Sequence, residues 1–216
     1  KGQTVTITNA NSEGTVKVGD VTTTGSIVGG AYNADNETAD NSGSLIIDGN
    51  EAWLKVAKIG DTKYYTIQAA VNAASEGSEI EVYANTTENV TIPEGAKLTI
   101  KFSENITLNG YFAPFKGNLT IKNGTINNEN ASYSAIEINA GTLVLNDVKV
   151  TSKRHGVRID GAVTATIEGG EYRLSATSGT RHAVNVSGGA NVTITDGIFV
   201  GPKGTTMDSG SAVCVQ

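Results

Sequence analysis

The sequence predicts an all-β chain wound as a parallel β-helix, a solenoid of stacked coils, and two observations carry that expectation. One phrase returns four times in the second half: Leu119-Thr120-Ile121-Lys122-Asn123-Gly124, Leu143-Val144-Leu145-Asn146-Asp147, Ala165-Thr166-Ile167-Glu168-Gly169-Gly170 and Val192-Thr193-Ile194-Thr195-Asp196-Gly197. A second strand-like run follows each one: Ala135-Ile136-Glu137-Ile138, Gly156-Val157-Arg158-Ile159, Ala183-Val184-Asn185-Val186 and Ala212-Val213-Cys214-Val215. Ile121, Leu145, Ile167 and Ile194 are separated by 24, 22 and 27 residues, an elastic period in which turns change length while strands do not. In such a stack each outward position joins a column along the axis, so a site has to be read across coils.

Taken in order, residues 1–52 form an N-terminal β-rich segment, either extra coils or a small separate unit. Within it Thr4-Val5-Thr6-Ile7-Thr8 and Ser44-Leu45-Ile46-Ile47-Asp48-Gly49 read as strands, and the polar run Asn33 to Gly43 reads as a loop. Residues 53–216 form the solenoid with its cap. Trp53 to Tyr65 predicts a hairpin turning at Gly60-Asp61, with Leu54, Val56 and Ile59 as its apolar contacts. The one helix predicted lies near 66–75. Thr66 caps its start, Ile67, Ala70, Val71 and Ala74 make one apolar face, and Gly77 ends it. A helix placed there covers the open end of the first coil, which would otherwise expose core and strand edges. From Glu79 onward come the early strands Glu79-Ile80-Glu81-Val82-Tyr83, Val90-Thr91-Ile92, Leu98-Thr99-Ile100-Lys101-Phe102 and Ile106-Thr107-Leu108, giving about six coils to the end of the chain. The pattern stops at Gln216 on a strand and Lys1 follows no start methionine, so the natural chain is expected to extend beyond this sequence.

The 216 residues carry 16 basic and 22 acidic side chains, a net charge of −6, which argues against a phosphate-backbone partner. No basic stripe or base-stacking aromatic set is visible, so no nucleic acid is expected. No apolar run approaches the roughly 18 residues of a membrane span. The 38% apolar content is low, yet sufficient for a solenoid whose coils each bury a thin row of Ile, Val and Leu. Cys214 is alone and forms no internal disulfide. Nine Asn-x-Ser/Thr triplets follow from abundant Asn and Thr at turns rather than from glycosylation.

The run Tyr65-Thr66-Ile67-Gln68-Ala69-Ala70-Val71-Asn72-Ala73-Ala74, with Gly77-Ser78-Glu79-Ile80-Glu81-Val82 and Glu88-Asn89-Val90-Thr91-Ile92, resembles the opening of pectin methylesterases and of the wider pectate lyase-like superfamily. That resemblance implies a right-handed parallel β-helix with a short N-terminal capping helix. It implies no activity, because this fold carries lyases, hydrolases, esterases and adhesins alike. Of the esterase phrase Gly-x-Tyr-x-Glu only Glu88 is matched, within Ala84-Asn85-Thr86-Thr87-Glu88, and the phrases that carry the catalytic Asp and the substrate-orienting Arg are absent. No catalytic residue carries over. The remainder looks like the Asn/Thr-rich β-helix segments of large surface proteins of gut bacteria.

One concentration of chemistry stands out. Arg154-His155-Gly156-Val157-Arg158-Ile159 aligns with Arg181-His182-Ala183-Val184-Asn185-Val186, which stacks two Arg-His pairs about 4.8 Å apart. With Arg158, and Glu137 one coil earlier, this is the candidate ligand-binding set. Arg forks match carboxylates and His works as acid or base near neutral pH, so an acidic glycan is the expected partner, or another host or cell-surface ligand. Against this, tandem repeats duplicate turn residues, and strict alternation turns His155 inward with Val157 and Ile159. Turn carboxylates Asp147, Asp160, Glu168 and Asp196 fit no calcium motif, and the Thr column through Thr120 and Thr166 is interrupted by Val144, which excludes a regular ladder. No metal or cofactor is expected. The expectation for function is a non-catalytic module of a bacterial surface or secreted protein, for adhesion, glycan binding or spacing. The alternative is a lyase or hydrolase acting on acidic polysaccharide.

Overall fold

The computed structural model describes residues 55–176, 180–202 and 210–216 in full and, before them, the backbone of six strands. The chain divides into two compact units, Lys1–Val56 and Ala57–Gln216. In the first unit, β1 (Thr4–Ile7) pairs in parallel with β5 (Ser44–Ile47), which turns back antiparallel on β6 (Asn50–Ala52). Between them β2 (Glu13–Val18), β3 (Val21–Val28) and β4 (Ala31–Tyr32) form an antiparallel run. The expected loop Asn33 to Gly43, Trp53 and Leu54 lie outside the described residues.

The second unit is a parallel β-helix of about five turns. It opens with the hairpin β7 (Ala57–Ile59) and β8 (Thr62–Tyr64), joined through Gly60, whose φ of 56° is the left-handed turn geometry that glycine accepts freely. Helix α1 (Ile67–Ala73) follows. Thr66 caps it by accepting the Ala69 N–H at 2.9 Å, and Ile67, Ala70 and Val71 are buried. The helix stops at Ala73 rather than at Gly77, because Ala74 already has extended backbone; Gly77, at φ 80°, serves the next turn instead. Strand β9 (Glu79–Val82) starts the solenoid, and β7 pairs antiparallel with its outer edge. Hairpin and helix together close the first coil, as α1 packs on β7, β8 and β9.

Three sheets then run along the axis. On the first, β9, β11 (Lys97–Phe102), the second half of β13 (Phe112–Lys122), the second half of β15 (Ile136–Asn146), the first half of β18 (Val163–Leu174) and β20 (Asn191–Val200) stack in parallel. The inward column Ile80, Ile100, Ile121, Leu145, Ile167, Ile194 has the register that the residue spacing predicts. Six strands make five steps of about 4.8 Å, which is why about five turns result where dividing chain length by the period suggested six. On the second sheet, the starts of β13 and β15, then β17 (Val157–Asp160), β19 (His182–Ser187) and β21 (Ser211–Val215), align Phe112, Ile136, Val157, Val184 and Val213. The third sheet takes β10 (Thr86–Thr87), β12 (Thr107–Asn109), β14 (Thr125–Asn128), β16 (Lys149–Ser152) and the ends of β18 and β20, stacking Leu108, Ile126, Val150, Tyr172 and Phe199 inward.

The corner from first to third sheet is two residues long in three successive coils: Asn123-Gly124, Asp147-Val148 and Gly169-Gly170. Its first position has positive φ throughout, 57° at Asn123, 51° at Asp147 and 91° at Gly169, so Asn and Asp, which tolerate this region, and Gly hold it. Burial alternates along the inner strands of the stack; β11 reads exposed Lys97, buried Leu98, half-buried Thr99, buried Ile100, exposed Lys101, buried Phe102, whereas β19 is buried from His182 to Val186 and β20 in the last coil is largely exposed.

Candidate functional site

The candidate site lies where the chain enters the second sheet. Val157 pairs with Val184 and Ile136 with Val157, so counting back two residues makes Ser134, His155 and His182 equivalent, and His182 pairs with Ser211. The two imidazoles stack, with ring centroids 5.4 Å apart and planes 16° from parallel, close to the expected vertical separation. Both point inward: His155 is 8% exposed and His182 2%.

Inside the solenoid the rings are main-chain acceptors. The His182 backbone N–H donates to His155 Nδ1 at 3.2 Å, and the Ser211 N–H donates to His182 Nδ1 at 3.1 Å, with Ser211 Oγ 2.9 Å from the same nitrogen. An Nδ1 that accepts an amide hydrogen carries no proton, so each ring is neutral with its proton on Nε2. Among the described residues the buried Nε2 of His182 has no partner. Burial, then the charges of Arg154, His182, Arg181 and Arg158, push the His155 imidazole down to about 4. Burial lowers His182 as well.

The guanidinia are disposed differently. Arg158 and Glu137 are outward neighbours in register, joined at 3.3 Å, and Arg158 also donates to Asp160 at 3.0 Å. Glu137 accepts further from the Ser134 hydroxyl at 3.2 Å. Arg158 is thereby neutralised twice. Arg154 and Arg181 are half-buried, and among the described residues neither has a carboxylate within ion-pair distance; Arg181 donates to the Thr180 carbonyl at 3.2 Å. Burial, Arg181 and Arg158 push the Arg154 guanidinium below its ordinary range, opposed by Glu137. The six expected residues are thus brought to one corner in two layers, a buried imidazole pair and an outer row of three arginines with one glutamate.

Two features escaped the sequence reading. Counting back once more, Tyr133 is equivalent to Arg154 and Arg181, and its ring stacks on Tyr111 at 4.8 Å and 7°. Alignment of Tyr133-Ser134-Ala135-Ile136 with Arg154-His155-Gly156-Val157 would have revealed the column. The second feature is Glu88, the residue shared with the esterase phrase. Its carboxylate accepts the Ile67 N–H at 2.8 Å, the Gln68 N–H at 2.9 Å and the Thr86 hydroxyl at 2.9 Å. It satisfies the free amides at the helix start, which is structural work. Gln68 completes the attachment, its Oε1 accepting the Thr91 N–H at 2.6 Å and its amide donating to the Thr91 carbonyl at 3.1 Å.

Elsewhere, a shallow open groove on the outer face of the first sheet is lined by Lys97, Thr99, Asn118, Thr120 and Thr142. Among the described residues no group of three or more His, Cys, Asp or Glu is arranged to hold a metal ion, and no helix is long and apolar enough to cross a membrane. Fold and corner define a parallel β-helix repeat protein with an arginine-lined edge. No protein-family model, curated protein or solved structure matches the chain.

Proposed function

We propose that this chain is a non-catalytic β-helix module of a bacterial surface or secreted protein, serving adhesion or spacing, and that its arginine corner holds acidic glycans. The observation that carries the reading is the division of labour at that corner. The imidazoles needed for acid–base chemistry are buried and engaged by main-chain amides, whereas Arg154 and Arg181 stand half-buried with no carboxylate in ion-pair contact among the described residues. Two adjacent guanidinia lacking a counter-charge favour an incoming carboxylate. Membership of the pectate lyase-like superfamily belongs to the same proposal, supported by the order of hairpin, helix and first coil.

Retention on immobilised polygalacturonate, against a neutral glucan, tests this. Wild-type protein is retained, retention falls as salt rises because half-exposed cation–carboxylate contacts are screened, and Arg154→Ala with Arg181→Ala removes it. Turnover of the polymer that His155→Ala or His182→Ala abolishes in a folded protein establishes the enzyme instead. Absence of retention leaves a spacer.

A further inference from the structure

We propose that His155 is an acid-operated latch between coils: protonation at its Nδ1 takes away the acceptor of the His182 amide and uncouples β19 and β21 from the coils before them. The geometry gives the ring one role that a proton abolishes. In its neutral form His155 bridges to the next coil by accepting the His182 N–H at 3.2 Å; in its charged form Nδ1 becomes a donor facing a donor. At His182 the Ser211 N–H would lose its acceptor in the same way, but Ser211 Oγ, 2.9 Å from that Nδ1, can accept the hydrogen bond of the charged ring. His155 is the sensitive member of the pair.

The surroundings of His155 oppose its charge. Arg154 adjoins it in its own coil, Arg158 follows on β17, Arg181 and the stacked His182 come from the next coil, and the carboxylates Glu137 of the coil before and Asp160 of β17 are already paired with Arg158. A second charge 5.4 Å away on His182 would add repulsion. The sign follows from linkage. The folded value, about 4, lies below the ordinary 6.5, so the unfolded chain takes up protons first as pH falls. The latch contributes in full above about pH 6.5 and is lost as pH falls toward 4. Opening also separates Arg181 from Arg154, so acid would release a ligand held by both. That consequence rests on the glycan reading; the latch itself does not.

Amide hydrogen exchange across pH 7 to 4, corrected for intrinsic rates, tests the latch on the whole chain. Protection in 182–187 and 211–215 is expected to fall on the order of a hundredfold relative to 119–122 and 143–146, the factor that two titrations centred near 4 and 6.5 imply at pH 4. His155→Asn, which keeps an acceptor at this position and does not titrate, should hold that protection at pH 4. Equal loss in His155→Asn overturns the proposal. Should the variant be unprotected already at pH 7, the wild-type profile decides alone: seam amides that stay as protected at pH 4 as those of β13 and β15 also overturn it. Glycan retention takes no part in this readout, so failure of the binding proposal leaves the result interpretable.

Discussion

Replacing Glu88 separates a structural carboxylate from a catalytic one. In the folded chain it accepts two main-chain N–H groups at the helix start, at 2.8 and 2.9 Å, and a threonine hydroxyl at 2.9 Å. Hydrogen bonds to a charged acceptor contribute roughly 1.5–3 kcal/mol each, and the half-exposed position places these toward the lower figure. Glu88→Ala should therefore cost about 3 kcal/mol, the two main-chain bonds taken together, with Ile67 buried at the helix start. Glu88→Gln retains one oxygen and should cost about half as much. With a urea m-value of roughly 2–3 kcal/mol/M for a unit this large, the alanine variant should lower the unfolding midpoint by about 1 M. Far-UV circular dichroism across a urea series gives the midpoint, and hydrogen exchange at Ile67 and Gln68 localises the loss. A midpoint within about 0.2 M of wild type, with both amides still protected, would refute the capping role.

Other substitutions probe the core and the corners. Tyr172 is fully buried against Phe199, with rings 5.1 Å apart, but its hydroxyl has no partner among the described residues. Tyr172→Phe should be neutral or stabilising by up to about 1 kcal/mol, read as a rise of a few degrees in thermal midpoint, and a marked destabilisation would show that the hydroxyl is satisfied. Gly141 has φ 102° and a Cβ there would run into the Gly117 carbonyl oxygen. Gly141→Ala should cost about 2–4 kcal/mol from strain and overlap together, whereas Gly189→Ala, with open space around it, should show the backbone strain alone. Denaturant midpoints of the two variants give the comparison, and equal costs would remove the case for close packing at Gly141.

Strand register was legible because β-branched runs bounded by Asn-Gly and Gly-Gly recur with their apolar residues in phase; Ile121, Leu145, Ile167 and Ile194 stack as counted. The inward turn of His155 was legible from alternation with Val157 and Ile159. The third sheet was harder to read, since β14 and β16 are four residues long and each offers little apolar pattern beyond Ile126 or Val150. The number of turns came out as about five rather than six because the six strands stacked on the first sheet are separated by five steps. Glu88 could not be placed from the sequence, as its partners Ile67 and Gln68 lie 21 and 20 residues away and meet it only after the chain has gone once around.

The even stacking of strands with uneven turns bears on mechanics. Main-chain hydrogen bonds between coils lie along the axis, so a load applied end to end pulls on each layer's bonds directly and in series. Layers would then detach one at a time. Each release would free a coil of 22 to 27 residues, or roughly 75–95 Å of slack once drawn out. A tether made this way lengthens in unequal steps under force while the layers still in place keep their shape.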